Sequence, residues 1–598
     1  MSAEKLITDH IDIWTSAIKA KSASGRGSSK NRELYGIKKL RELILELAVR
    51  GKLVPQDPND EPASVLLERI AAEKAQLVKE KKIKKPKALP TIDSVSVPNF
   101  ELPTGWTWAF MPQVVAHNSY AIKRGPFGSA LKKSFFVQSG FKVYEQQHAI
   151  NDDFYRGDYF IDDEKFEELK AFEVKPFDLI ISCSGTVGKV AIAPEDMAPG
   201  IINQALLKIS LNTSALTNEY FKILFGAYFM ATETLSDLQG TAQKNMVSVD
   251  TLKSEPFPYP PLSEQHRIVA KVDELMALCD QLEQQTDASL DAHQVLVETL
   301  LATLTNSQDA TELMANWARI SEHFDTLFTT EQSIDQLKQT ILQLAVMGKL
   351  VPQDPNDEPA AKLLERIAEE KAQLVKEKKI KKQKALPPIA EDEKPFELPN
   401  GWVWARIFDA SLFSEYGSSE KTVTELPDGV PVLKMGDIQA GKVILGEHQV
   451  VSAQIEDLPN LYLKFGDVLY NRTNSAELVG KTGMFKGEDD VYTFASYLIR
   501  IRCSFNNVMP EYLSLSMNTP LFRKTQIEPH IKQQCGQANV NGTLMKHMLV
   551  SVPPVREQAR LMAKTKELLS FCDQLKQRLR DSQQTQLQLT DAIVEQAL

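Results

Sequence analysis

The sequence predicts an α+β fold: two α/β domains joined by long antiparallel coiled-coil helices, with an internal pseudo-two-fold repeat. Three observations carry this. The stretch Ala48 to Pro90, AVRGKLVPQDPNDEPASVLLERIAAEKAQLVKEKKIKKPKALP, returns at Ala345 to Pro387 with five exchanges: Arg50/Met347, Ser64/Ala361, Val65/Lys362, Ala72/Glu369 and Pro86/Gln383. ELPTGWTWA at Glu101 is matched by ELPNGWVWA at Glu397. PPLSEQ at Pro260 and PPVREQ at Pro553 each lead into a long run of apolar residues in alternating steps of four and three. A duplicated frame means that the segments between its copies should be read as pairs.

Residues 1–100 form the first copy of a helical frame with its linker. Residues 1 to 35 hold a short helical pattern and a glycine/serine-rich loop, SASGRGSSKNR, expected to be mobile. Ile37, Leu40, Ile44 and Leu47 recur at helical spacing, and Gly51 stands where a helix C-cap glycine belongs. VPQDPNDEP breaks the helix; Asp60 or Glu61 is expected to cap the next one, with Pro62 in its first turn. That helix carries Leu66, Leu67, Ile70, Leu77 and Val78 on one face and finishes in KEKKIKK, lysines that suit a helix C-terminus and read as a solvated face.

Residues 101–261 and 397–554 are the two domains, with short β-rich runs such as DLIISCSGTVGKVAIA and DVLYNRTNSAELVGKTGMF. Trp106/Trp108 and Trp402/Trp404, two apart at each opening strand, read as anchors of a core or seam rather than as base stackers. Residues 262–304 and 555–598 are the long helices. In the first, Ile268, Val272, Leu275, Cys279, Leu282, His293, Leu296 and Leu300 form the expected seam; in the second, Leu561, Leu568, Cys572, Leu575, Leu579, Leu589 and Ile593. His293 on a seam reads as structural. Residues 305–396 are a connector and the second frame, in which Trp317 loosely echoes Trp14. The N-terminal helices lack a preceding rod and the C-terminal rod lacks following helices, so the two ends could meet.

At 598 residues the chain is too long for one core, and 43% hydrophobic with 25% charged residues is ordinary for a soluble protein. No run of about 20 apolar residues exists, so no membrane partner is expected. MSAEKLITDHIDIW lacks a basic region before an apolar core, so no secretory signal is expected and a cytoplasmic location is. Five scattered cysteines without CxxC spacing read as reduced thiols, not a zinc site. The net charge of −10 argues against a generic nucleic-acid binder, so any DNA contact must be local or helped by a basic partner.

No catalytic apparatus is found. Ser475 to Thr482, SAELVGKT, is one glycine short of a phosphate-binding loop, and the nine histidines show no metal-ligand spacing. What remains is polar, loop-borne chemistry suited to base edges. In the first domain the candidates are Lys123, Arg124, Ser184, Thr186, Lys189, Gln243, Lys244 and Asn245. In the second they are Asn471, Arg472, Thr473, Asn474, Lys481, Gln533, Gln534, Gln537 and Asn539. Asn and Gln pair with adenine through two bonds, Arg with guanine, and Lys, Ser or Thr hold phosphates. Any one of them is more simply an exposed turn residue; their gathering at matching places in two domains makes the set more credible than its members.

On AVxGKLVPQDPNDEPA at Ala48 and Ala345, the paired tryptophan strands, the GTVGK turn and the PPLSEQ/PPVREQ exits, the chain resembles, over nearly its whole length, the specificity subunit of type I restriction-modification enzymes. The resemblance implies two target-recognition domains that each read one half of a split double-stranded DNA site, with paired helices as a ruler. It implies no active site or cofactor in this chain. Its implied partners are two methyltransferase subunits, which bring S-adenosylmethionine and modify adenine N6, and motor-nuclease subunits, which use ATP and Mg. NRTNSAELVGK departs from CSGTVGK, so loop position carries over there but individual contacts do not. The competing classes are a coiled-coil interaction scaffold without sequence reading and, more weakly, an NTPase built on Gly480-Lys481-Thr482.

Overall fold

The computed structural model describes residues 3–20, 32–85, 88–95, 97, 100–231, 246, 248–308, 310–534 and 537–598. It falls into two compact units, Met1–Ser289 with Ser582–Leu598, and Leu290–Asp581. The glycine/serine-rich loop, except Arg32, lies outside the described residues.

In the first unit the predicted periodicity becomes the helix Tyr35–Val49, with Ile37, Leu40, Ile44 and Leu47 all buried. Gly51 follows at φ +66°, and a Cβ there would lie 2.5 Å from the Pro103 ring and 2.9 Å from that of Trp106. Glycine is therefore required twice over, by conformation and by space. The next helix, Ala63–Lys79, has Pro62 at its N-cap and no side-chain cap. The expected cap Asp60 instead accepts both Nη atoms of Arg267, at 3.2 and 2.7 Å. Ion pairing with the long helix has taken the carboxylate away from the helix end.

Trp106 is buried and its indole Nε1 donates to Glu264 Oε2 at 2.9 Å, so it is a seam anchor as the sequence suggests. Strand Thr107–Phe110 pairs antiparallel with Pro256–Tyr259, which joins the start of the domain to its end. Between them lie two four-stranded sheets. One is antiparallel, in the order Ile122–Arg124, Leu206–Ile209, Leu179–Ser182, Val190–Ile192. The other is mixed, with Gly200–Ile202 parallel to Phe141–Tyr144 and antiparallel to Glu173–Val174. The tail of the last helix completes this unit. Tyr35 Oη donates to Asp591 Oδ1 at 2.7 Å, Lys52 Nζ and Arg50 Nη1 donate to the Leu598 carbonyl at 2.5 and 3.3 Å, and Ile593 joins the core. The N-terminal helices thus meet the C-terminal one.

The second unit makes the same contacts with the second set of residues. Gly348 sits at φ +70°, Trp402 Nε1 donates to Glu557 Oε2 at 3.0 Å, and Arg560 Nη2 donates to Asp357 at 2.7 Å. Val403–Arg406 pairs antiparallel with Leu549–Val552. The main sheet has six strands in the order Phe413–Tyr416, Leu498–Arg502, Val468–Asn471, Thr482–Met484, Lys442–Val443, Ile438–Gln439. The loose echo of Trp14 by Trp317 is not repeated in structure: Trp14 is fully buried with its Nε1 on the Leu6 carbonyl, whereas Trp317, on Ala310–Glu322, is exposed.

The long helices, Leu262–Asn306 and Val555–Ala597, are each unbroken. Ile268, Val272, Leu275, Cys279 and Leu282 are buried as predicted. Cys572 and Ile593 of the last helix are buried as well, whereas at two predicted seam positions the buried residue is the next one along. Leu296 is 49% exposed while Val297 is 1%, and in the last helix Leu589 is 44% exposed while Thr590 is 0%. The cause is the period. An ideal α-helix drifts about 20° per heptad away from a 3.5-residue repeat, so a strict heptad count carried over several heptads falls a position behind the buried stripe. His293, half-buried, bonds the Thr326 carbonyl at 3.0 Å through Nε2, a structural role.

Candidate nucleic-acid interface

Each unit carries one loop built on the same hydrogen bonds. In the first, strand Leu179–Ser182 runs into the loop and the loop closes where Gly188 N donates to Ser182 O at 2.8 Å and Ser182 N to Lys189 O at 2.9 Å. In the second, Gly480 N donates to Asn471 O at 2.8 Å and Asn471 N to Lys481 O at 2.9 Å. Gly188 and Gly480 have φ of +84° and +88°, the left-handed turn that glycine tolerates. A single backbone amide from later in the chain grips each loop at its start: Met246 N donates to Cys183 O at 3.0 Å, and Val540 N to Arg472 O at 2.9 Å. The backbone frame is common, while the loop closes six positions on in one unit and nine positions on in the other.

The first unit gathers most of its predicted residues around this loop. Lys123 and Arg124 lie on the outer strand Ile122–Arg124, Lys123 opposite Lys208 and Arg124 opposite Leu207. Arg124 reaches the Gln204 and Cys183 carbonyls, each at 3.5 Å, which ties it to the loop's first residues. Lys123 Nζ sits over the Phe172 ring at 4.9 Å and over Tyr120 at 5.6 Å. Ser184 is half-buried, and Thr186 and Lys189 are exposed. Gln243, Lys244 and Asn245 lie outside the described residues. Burial pushes the neighbouring Cys183 thiol up to about 12, which leaves it a protonated packing group.

In the second unit the structure brings together two clusters far apart in sequence. Thr473–Asn474 pairs antiparallel with Gln537–Asn539, Thr473 facing Asn539 and Asn474 facing Ala538, and Lys532–Gln534 pairs on the other side. Gln533, Gln534 and Gln537 therefore lie on one small sheet with Asn474 and the exposed Asn539. Asn471 differs from expectation. It is 1% exposed and its Nδ2 donates to the Met435 carbonyl at 3.4 Å, so it faces the interior and does not present an edge to a ligand. It ends a central strand, where the alternation of faces turns it inward. Lys481 is half-buried beside it.

Not every cation near these sheets is available. Arg502 grips Asp467 with two bonds at 2.7 and 2.6 Å, and buried Arg500 lies 3.8 Å from the same carboxylate. In the first unit Lys208 lies 3.8 Å from Asp178; burial pushes the Lys208 amine down and the Asp178 carboxyl up. These pairs fasten strands and are spent within the fold. Sequence inspection missed Tyr416, Ser496 and Tyr497 beside Arg472. It also missed the polar cleft of Gln146, Gln147, Tyr159 and Asn203, which opens next to the first loop. Tyr416-Gly417, an exposed aromatic before a glycine, was the available signal for the former.

Residues 128–292 match the family described as "Type I restriction modification DNA specificity domain". The chain is 42% identical, over 100% of both chains, to the type I restriction enzyme EcoAI specificity subunit of Escherichia coli. It is also 42% identical to the EcoEI specificity subunit of Escherichia coli, over 100% of both. The chain belongs to the family of type I restriction enzyme specificity subunits. The crystal structure of an HsdS subunit from Thermoanaerobacter tengcongensis is similar at 16% identity and a TM-score of 0.42, covering 83% of this chain and 98% of that one.

For a specificity subunit, the scaffold reading is not favoured and a nucleotide site at Gly480 does not fit. Gly480-Lys481-Thr482 runs into the strand Thr482–Met484, and Thr482 is fully buried with its Oγ1 donating to the Ser514 carbonyl at 3.0 Å. A phosphate loop opens a helix, whose N-terminal amides hold the anion. Among the described residues no group of His, Cys, Asp or Glu is placed to hold a metal ion, and no helix is long and apolar enough to cross a membrane.

Proposed function

We propose that this chain is the non-catalytic subunit that gives a type I restriction-modification complex its sequence specificity, each globular domain reading one half of a bipartite double-stranded DNA target. The observation that carries it is the pair of loops. One hydrogen-bonded frame, kept in both units, holds CSGTVGK in the first and NRTNSAELVGK in the second. An invariant scaffold with unlike polar contents is what two readers of unlike half-sites need, since position comes from backbone and phosphate contacts and discrimination from side chains on base edges.

In this proposal the recognition domains are residues 101–261 and 397–554, and the helices 262–304 and 555–598 form an antiparallel coiled coil within a pseudo-two-fold repeat that sets the spacing of the half-sites. The frames, 1–100 and 305–396, dock two methyltransferase subunits. S-adenosylmethionine for adenine N6 methylation, and ATP with Mg for the motor-nuclease subunits, belong to those partners, and the complex works in the cytoplasm. The net charge of −10 supports reliance on partners to neutralise phosphates.

The test is to exchange residues 101–260 for the equivalent segment of a relative with a different target, and to sequence methylated adenines in cells that also carry the methyltransferase subunit. One half of the recognised sequence should change and the other stay. A methylome in which both halves changed, or none was specific, would sink the proposal.

A further inference from the structure

Among the predicted contacts of the second unit, Arg472 differs from the rest in being held on several sides while its donor fork stays free. Its backbone is fixed by Arg472 N donating to Tyr497 O at 3.1 Å and Val540 N donating to Arg472 O at 2.9 Å. Its guanidinium Nε donates to the Ser496 carbonyl at 2.7 Å, and its Cζ sits over the Tyr416 ring, 5.1 Å from the ring centre. Tyr416 is itself fixed, its hydroxyl oxygen accepting Gly542 N at 2.8 Å, yet 45% exposed. The loop that follows is braced by Arg523, whose Nη1 donates to the Val479 carbonyl at 3.0 Å and whose Nη2 donates to that of Ala476. Among the described residues, no other bond occupies the two Nη atoms of Arg472.

We propose that Arg472 reads a guanine in the half-site taken by the second unit, and that Tyr416 is its positioning residue. This rests on the second unit being a sequence-reading domain. The two Nη groups of a guanidinium form a planar fork that matches the coplanar O6 and N7 acceptors of guanine in the major groove. A phosphate asks for no particular plane, since its acceptors surround the phosphorus. Fixing the plane by a ring face and an Nε bond removes rotamer entropy before binding, which benefits a directional contact most. Arg500 and Arg502, on the strand beside Val468–Asn471, are tied to Asp467, whereas among the described residues no carboxylate pairs with Arg472.

The experiment uses the full chain assembled with its methyltransferase partners, and duplexes carrying the methylated sequence with each guanine replaced in turn by 7-deazaguanine, which lacks the N7 acceptor. For wild type, one replacement within one half-site should weaken binding by roughly 5- to 150-fold. Arg472→Ala should lose that sensitivity, with discrimination at the other half-site intact. Tyr416→Phe, which keeps the ring, should retain the guanine preference, and Tyr416→Leu should lose about tenfold of it. The proposal is overturned if no guanine behaves so in wild type, a result that needs no variant to fold. It is equally overturned if Arg472→Ala weakens all sequences alike and lowers the salt slope by about one, the mark of a phosphate contact. Absence of sequence preference at both half-sites would instead overturn the underlying reading of the chain as a DNA reader.

Discussion

The indole of Trp106 donates to Glu264 at 2.9 Å, and the same carboxylate accepts Gln56 Nε2 at 2.8 Å, so one buried acid ties the opening strand of a domain and the loop between frame helices to the helix that leaves. Trp402, Glu557 and Gln353 repeat this at 3.0 and 3.1 Å in the second unit. Burial holds both carboxyls above their usual range, and the donors oppose it. Trp106→Phe is expected to cost about 1–3 kcal/mol, the loss of a bond to a buried polar group. Hydrogen exchange should report faster opening of Tyr35–Val49 and unchanged protection of Glu331–Val346, with the reverse for Trp402→Phe. Equal loosening of both helices by either variant would show that the two knots are not independent.

Gly125 follows the strand that carries Lys123 and Arg124. A Cβ there would lie 1.8 Å from the Asn203 carbonyl oxygen, a backbone atom that no rotamer change moves. Gly125→Ala should push the strand from the sheet, cost about 1–3 kcal/mol as overpacking does, and weaken discrimination at the first half-site alone. Gly436→Ala, with nothing within 4 Å of the new carbon, should stay within about 0.5 kcal/mol of wild type by thermal melting.

Much of the frame was readable because the chain states it twice. Gly51 and Gly348, Trp106 and Trp402, and the helix starting points follow from local pattern and duplication. What the sequence hid was non-local. Thr473 faces Asn539 across a ladder that no local pattern encodes, and Tyr416 comes beneath Arg472 from another strand. Asn471 has the chemistry to pair with a base edge, but its place at the end of a buried strand decides its role. The burial of Val297 in place of Leu296 shows the limit of heptad counting, since 3.6 residues per turn does not divide seven evenly.

Lys371 offers a pH test. Its amine is buried against Phe408, donating to the Phe408 carbonyl, and burial lowers it to about 8. The folded value lies below the unfolded one near 10.5, so between the two the unfolded chain binds more protons and stability rises with pH. That contribution is lost as pH falls through about 8. The melting temperature of wild type minus that of Lys371→Met should therefore increase from pH 7 to pH 10. A flat difference would mean that the amine is charged and solvated across the range.

Both long helices pass unbroken from one unit into the other, at Ser289/Leu290 and at Asp581/Ser582. Under the proposed function their length sets the spacer of the bipartite target. Seven residues inserted at both junctions add about 10 Å at 1.5 Å per residue and return the helix face to within about 20° of its starting direction. At roughly 3.4 Å per base pair, the spacer of the methylated sequence should grow by about three base pairs while both half-sites keep their bases. Four residues add about 6 Å but turn the face by about 40°, a worse match to the packed stripe, so that variant should methylate less well. Methylation that keeps its original spacer after the seven-residue insertion would show that the helices do not measure the DNA.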